Sequence, residues 1–178
     1  GLIVAAPLWV PTAILVKLTS RGPILYKQER VGLGGETFQL LKFRSMRVDA
    51  EDATGPVWAR ENDDRVTPIG HYIRRFRIDE IPQMFNVLNG EISFVCPRPE
   101  RPFFVNRLTE QLHYYSQRHV VKPGITGWAQ VRYPYGATVE DAKEKLQLDL
   151  YYIKHTNLAF DIKILLETTK IIFRKMAR

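Results

Sequence analysis

Cysteine is nearly absent from this chain: Cys96 stands alone among 178 residues, which excludes an internal disulfide and a cysteine-rich zinc site and fits a reducing compartment. Histidine is scarce too, and His71, His113, His119 and His155 follow no zinc-ligand spacing. Gly32-Leu33-Gly34-Gly35 is no dinucleotide fingerprint, because no helical pattern follows it, and Asp63-Asp64 lacks the spacing of an Asp-x-Asp metal motif. What the chain has in excess is positive charge. A formal net charge of +7 and a pI of about 9.6 call for an anionic partner: nucleic acid, anionic lipid or a phosphorylated substrate. No recognisable nucleic-acid motif accompanies that charge, which weighs against the first. A hydrophobic share of 45% over 178 residues suits one domain.

The long apolar run opens the chain. Leu2 to Val16 carries no charge before Lys17 and holds Pro7 and Pro11. As helix it reaches about 24 Å, short of the roughly 30 Å hydrocarbon core of a bilayer. Each proline frees a carbonyl four residues earlier and favours a bend, so residues 1–20 are expected to form a re-entrant membrane helix that enters one leaflet and returns. A signal-peptide remnant or a truncated transmembrane helix stays open, since Gly1 lies inside the apolar run and the chain is expected to lack its N-terminal part. Lys17 and Arg21 at the exit suit a cytoplasmic membrane surface.

The chemistry concentrates in Ile69 to Pro99. Asp79 and Glu80 are adjacent, with Arg74, Arg75 and Arg77 just before them and Arg98 between Pro97 and Pro99. Fixed cations favour ionised carboxylates and attract phosphate. Pro82 is placed to start a helix through Leu88, stopped by Asn89-Gly90, which would set the acids at the positive end of its dipole. A carboxylate beside a phosphate can attack it or hold its metal, although capping acids and solvated ion pairs are the commoner use of such residues. The prolines stiffen the backbone around Arg98, so its guanidinium makes a good phosphate clamp.

Around this run, Ile24–Val31 and Thr37–Arg44 read as a hairpin whose second strand carries Lys42 and Arg44 on one face. Residues 49–64 form an acidic loop with an Asn62-Asp63-Asp64 cluster, Glu91–Cys96 a buried strand, and Phe103–His119 a helix with Phe104, Leu108, Leu112 and Tyr115 on one side. Ala129–Tyr133 reads as a strand. Two helices, Val139–His155 and Leu158–Ala177, close the chain. In the last, Lys163, Glu167, Lys170, Arg174 and Arg178 share one stripe and Ile162, Leu165, Thr169, Ile172 and Met176 another, which suits packing on the domain or lying on anionic lipid. The expected fold is α+β, a mainly helical single catalytic domain (21–178) with a short β-hairpin or small sheet, preceded by the re-entrant helix.

The run IDEIPQMFNVLNGEISFVCPRP resembles the central motif of the bacterial sugar transferase family, the monotopic phosphoglycosyl transferases. The likeness extends through Gly22-Pro23, Lys27-Gln28-Glu29-Arg30-Val31-Gly32, Lys42-Phe43-Arg44-Ser45-Met46 and Lys122-Pro123-Gly124-Ile125-Thr126-Gly127-Trp128-Ala129-Gln130-Val131. It implies a protein at the cytoplasmic face of the bacterial inner membrane that moves a sugar phosphate from a UDP-sugar to polyprenyl phosphate. Asp79 would be the nucleophile that carries the phosphosugar, and Glu80 a second catalytic carboxylate and the ligand of Mg²⁺. Lys42, Arg44, Arg74 and Arg98 would bind substrate phosphate, and Asp161 would position a basic residue or the metal. Membrane lipid is an expected partner, nucleic acid is not, and a homo-oligomer is compatible with the sequence. Cys96 stands where the family usually has glycine, and Ala6 where a serine often precedes the proline matched by Pro7. Direct transfer without a covalent step, or a basic anion-binding module without activity, are the alternatives.

Overall fold

The computed structural model describes residues 2–52, 55–58, 63–133, 136 and 138–176, without the side chains of 2–6, 175 and 176. Gly1, Asn62, Ala177, Arg178 and the side chains of Ala6 and Met176, named above, lie outside the described residues. Three small apolar clusters organise the chain, and the one built on Val16, Phe43 and Ile73 also packs Ile78 and Ile81, which flank Asp79 and Glu80. Helix α1 (Leu2–Thr19) runs through Pro7 and Pro11 without interruption. Its Val16 is buried against Phe43 and Ile73, and Trp9 sets its edge on Phe43 (4.9 Å) and Phe85 (5.5 Å). Its opposite side leaves Leu8, Val10, Ile14, Leu15 and Leu18 exposed, so the helix is apolar all round while only one stripe is packed. No helix among the described residues is long and apolar enough to cross a membrane.

Strands β1 (Leu25–Val31) and β2 (Thr37–Phe43) form the expected antiparallel hairpin, with Tyr26 opposite Lys42. Gly34 and Gly35 take positive φ in its turn, which a side chain would disfavour. The free edge of β2 is closed by a side chain instead of a strand. Asn86, on α3 (Gln83–Leu88), accepts from Leu41 N (3.0 Å) and donates to Gln39 O (2.8 Å) and Glu91 Oε2 (2.6 Å). The side chain is fully buried, so its loss strands backbone groups in a dry place. Asn86→Ala is expected to cost about 2–4 kcal/mol of stability in urea denaturation, while a cost below about 1 kcal/mol would show that water replaces the amide.

Helix α2 (Pro68–Arg75) begins where Thr67 accepts from Gly70 N at 3.1 Å and Pro68 occupies its first turn. After α3 come β3 (Ser93–Val95), α4 (Pro102–Gln111), β4 (Gly124–Thr126), α5 (Trp128–Arg132), α6 (Val139–His155) and α7 (Leu158–Met176). β3 and β4 pair in parallel, with α4 in the crossover between them. Thr138 and Asp141 form a reciprocal capping box at the start of α6. The α+β class, mainly helical with two small sheets, is as expected.

Three local expectations are corrected. Ala129–Tyr133 is not a strand: pairing with β3 ends at Thr126, and Trp128 sinks into a cluster with Val95, Tyr152 and Ile164, which winds the next residues into α5. The Phe103–His119 helix breaks at Leu112, where the backbone extends, and Tyr114 takes φ 65° before a 3-10 segment, Tyr115–Val120. That break lets Tyr115 join the cluster of Phe104 and Leu108 while Arg118 turns inward. In α7 the packed stripe is Ile164, fully buried, and Thr168, bonded to Thr126 at 2.7 Å. Ile162 and Leu165 point outward instead, in a chiefly apolar exposed face that includes Leu166 and Phe173.

Candidate active site

Helix α2 ends at Phe76, and Arg77 reverses the chain in the left-handed region at φ 58°. The reversal launches a 3-10 turn, Ile78–Glu80, that carries both acids, while Ile78 and Ile81 pack against the Phe43 cluster. Alternation of apolar and acidic residues across one turn therefore pins the backbone by its isoleucines and drives Asp79 and Glu80 to the other side. Both are 8% exposed. The following helix α3 has only six residues, so its dipole adds little and the local cations supply the field.

Glu80 is the anchored acid. Its Oε1 accepts from Arg98 Nη2 (2.5 Å) and Arg77 Nη1 (3.2 Å), and its Oε2 accepts nothing from the described residues. Burial alone would raise its pKa, yet Arg98, Arg77 and Lys42 together hold it well below the usual carboxylate range. Asp79 is the less committed acid, with a buried Oδ1 that has no hydrogen-bond partner among the described residues. Burial and the Glu80 charge push its carboxyl up to about 6, against the pull of Lys42, Arg77 and Arg74. The Lys42 ammonium makes no hydrogen bond or ion pair with a described residue, while its backbone pairs with Tyr26 in the hairpin. Burial and the nearby Arg98 bring its ammonium down to about 7, Glu80 and Asp79 opposing. Two adjacent carboxylates thus differ sharply: one fixed and ionised, the other unpaired at an oxygen and surrounded by cations.

Of the residues named from sequence, Asp79, Glu80, Lys42, Arg74 and Arg98 share this region. Arg44 does not. It is buried and donates to Arg21 O (2.8 Å), Ser20 O (2.8 Å) and Ser20 Oγ (2.8 Å), tying the end of α1 to the hairpin. Gly22 is required there, since a Cβ would stand 2.0 Å from the guanidinium. Asp161 accepts from Tyr152 Oη (2.7 Å), whose hydroxyl also reaches Val95 O (3.2 Å); no described contact joins it to the acids. The Cys96 thiol lies 3.9 Å from that same hydroxyl, and burial pushes its pKa up to about 11, which makes it a poor nucleophile.

Arg77 was legible as a charge and not as a backbone device, because nothing in a residue type announces positive φ. Its two roles separate in substitution. Arg77→Gly and Arg77→Ala both remove the Glu80 contact, and only alanine keeps the backbone strain, so the glycine variant is expected to be more stable by about 1 kcal/mol in thermal denaturation. Equal stabilities would mean that the turn relaxes once the side chain is gone.

Mg²⁺ suits the donor set. No group of three or more His, Cys, Asp or Glu among the described residues could hold a metal, and Mg²⁺ is typically bound by one or two carboxylates with phosphate and water completing its shell. Asp79 Oδ1 and Glu80 Oε2 are the uncommitted oxygens available to it.

Comparison with known proteins places the chain among relatives. The family model described as bacterial sugar transferase matches residues 1–175. The chain is similar to the UDP-N-acetylgalactosamine-undecaprenyl-phosphate N-acetylgalactosaminephosphotransferase of Aeromonas hydrophila, at 45% identity over 94% of this chain and 39% of the relative. It is equally similar, at 45% over 91% of this chain and 34% of the relative, to the UDP-glucose:undecaprenyl-phosphate glucose-1-phosphate transferase of Xanthomonas campestris pv. campestris. The protein of that name in Escherichia coli (strain K12) is 40% identical over 94% of this chain and 36% of its own length. The chain therefore spans little more than a third of these relatives.

Proposed function

The chain belongs to the bacterial sugar transferase family, and from that premise we propose that it transfers a sugar 1-phosphate from a UDP-sugar to polyprenyl phosphate through a phosphosugar carried on Asp79. An Asp79 oxygen attacks the β-phosphorus of the UDP-sugar, the bond from that phosphorus to the bridging oxygen breaks, and UMP leaves with the oxygen. A phosphate oxygen of the polyprenyl phosphate then attacks the same phosphorus. Asp79 departs as a carboxylate, and the sugar remains on a new lipid diphosphate. The observation that carries this reading is the unpartnered Oδ1 of Asp79, buried next to a Glu80 whose position two guanidiniums fix. Lys42, Arg74 and Arg98 would neutralise the phosphates as charge moves between oxygens. Mg²⁺, held by Glu80 with Asp79 close by, would supply further charge stabilisation to the phosphates.

The acceptor is a lipid, and α1 supplies a reason for the chain to meet it. Its exposed Leu8, Val10, Ile14, Leu15 and Leu18 suit the re-entrant membrane helix proposed for residues 1–20, with 21–178 as the catalytic domain on the cytoplasmic face of the inner membrane. The relatives named for N-acetylgalactosamine and for glucose are equally similar, so the sugar is left unassigned.

Incubation with UDP-sugar and Mg²⁺ in the absence of lipid tests the covalent step. Mass spectrometry is expected to find one phosphosugar on Asp79, with one UMP released per chain. Full turnover with lipid but no trapped adduct would favour direct transfer. Screening UDP-sugars for UMP release would identify the donor.

A further inference from the structure

Pro97 and Pro99 have no amide proton, and the Arg98 amide makes no hydrogen bond with a described residue, so the strap from Pro97 to Glu100 is tied down through its carbonyls. Four consecutive carbonyls each receive a donor from elsewhere in the fold. Pro97 O accepts from Gly124 N (2.9 Å), Arg98 O from Arg118 Nη2 (2.8 Å), Pro99 O from Arg30 Nη1 (2.9 Å) and Glu100 O from Val31 N (2.9 Å). The middle two donors, which flank the Arg98–Pro99 peptide, are guanidiniums.

Both guanidiniums are themselves immobilised. Arg118 is buried and also donates to Tyr115 Oη (2.8 Å) and to Asp149 Oδ2 of α6 (2.8 Å). Arg30 donates through Nε (3.1 Å) and Nη2 (2.6 Å) to Gln28 Oε1 on the same strand. A charged donor to a carbonyl is stronger than an amide donor, and a planar fork fixes direction as well as distance. The Arg98 side chain grows from this clamped peptide and ends on Glu80.

We propose that Arg118, held by Asp149 and Tyr115, and Arg30, held by Gln28, are positioning residues that set where the Arg98 guanidinium stands, acting through the strap carbonyls. The proposal rests on the assignment of Asp79, Glu80 and Arg98 to the reaction centre. An ordinary buried ion pair would stabilise the fold alone. A positioning pair must also lose its effect when the side chain it positions is gone.

A double-mutant cycle separates the two. The variants are R98A, R30Q and the charge-neutral pair R118Q/D149N, which avoids leaving Asp149 buried without its cation. kcat/KM for UMP release is measured with UDP-sugar and polyprenyl phosphate at a temperature where circular dichroism shows every variant folded. In the wild-type background R30Q and R118Q/D149N are each expected to lower kcat/KM about 10–100-fold, the scale of a misplaced catalytic group. In the R98A background each is expected to change it by less than about twofold. Equal fold-losses in both backgrounds would overturn the positioning role while leaving the reaction centre intact. Full activity of R98A alone would remove the reaction-centre assignment, and the proposal with it. Should R118Q/D149N fail to fold, the R30Q arm decides the matter.

Discussion

Asp79→Asn is expected to abolish transfer and stabilise the protein in the same stroke. On the proposed mechanism the variant lacks the attacking oxygen, so UMP release should fall by about 10⁴-fold or more, and no adduct should form. The stability gain follows from burial. A carboxyl raised from 3.8 to about 6 on folding costs the folded state about 3 kcal/mol once ionised. The sign is fixed by linkage. The protonated acid is fully accommodated below its unfolded pKa, and stability drains away as pH rises through about 6. The asparagine variant escapes that loss, so it should be more stable by about 1–3 kcal/mol at pH 8 and nearly equal to the native chain at pH 4. Urea denaturation at the two pH values measures this; a less stable variant at pH 8 would mean that the cations need the Asp79 charge more than burial penalises it. The same titrations shape the rate. kcat/KM should fall below about pH 6 as Asp79 protonates and above about pH 7 as Lys42 loses its proton. Lys42→Arg, which cannot deprotonate there, should flatten the alkaline limb alone.

The second large effect belongs to Arg98→Ala. It removes the nearest cation of a buried carboxylate and, on the proposed mechanism, a phosphate ligand as well, so activity should drop about 10²–10³-fold and stability by about 2–4 kcal/mol. Arg77 remains to soften the loss. Glu80 has a depressed folded pKa, so the stability difference should be largest above about pH 4.5 and shrink as the acid protonates below it. R98A/E80Q should regain most of the stability and none of the activity. Recovery of activity in that double variant would show that Arg98 acts only to neutralise Glu80.

Much of the candidate site is legible in one short run because its residues are local. Asp79, Glu80 and Arg74 lie on adjoining turns, and Arg98 follows after a single short helix and strand. What stays hidden depends on chain reversals and distant pairing. The break at Leu112 that turns Arg118 inward follows a stretch whose apolar spacing reads as continuous helix. Asn86 looks like a helix residue, and only the free edge of β2 gives it its task. Arg44 misleads by its spacing from Lys42: its guanidinium is taken up by Ser20 and Arg21 at the end of α1, partners that two-residue alternation does not reveal. Lys163, Lys170 and Arg174 of α7 are exposed, yet the row the helix turns to the protein is that of Ile164 and Thr168, with Thr168 bonded to Thr126.

Trp9 touches Phe43, the neighbour of Lys42, and Phe85, five residues beyond Glu80. One aromatic side chain thus ties the first helix both to the strand that carries Lys42 and to the helix that follows the acids, so a tilt of that helix strains both contacts at once.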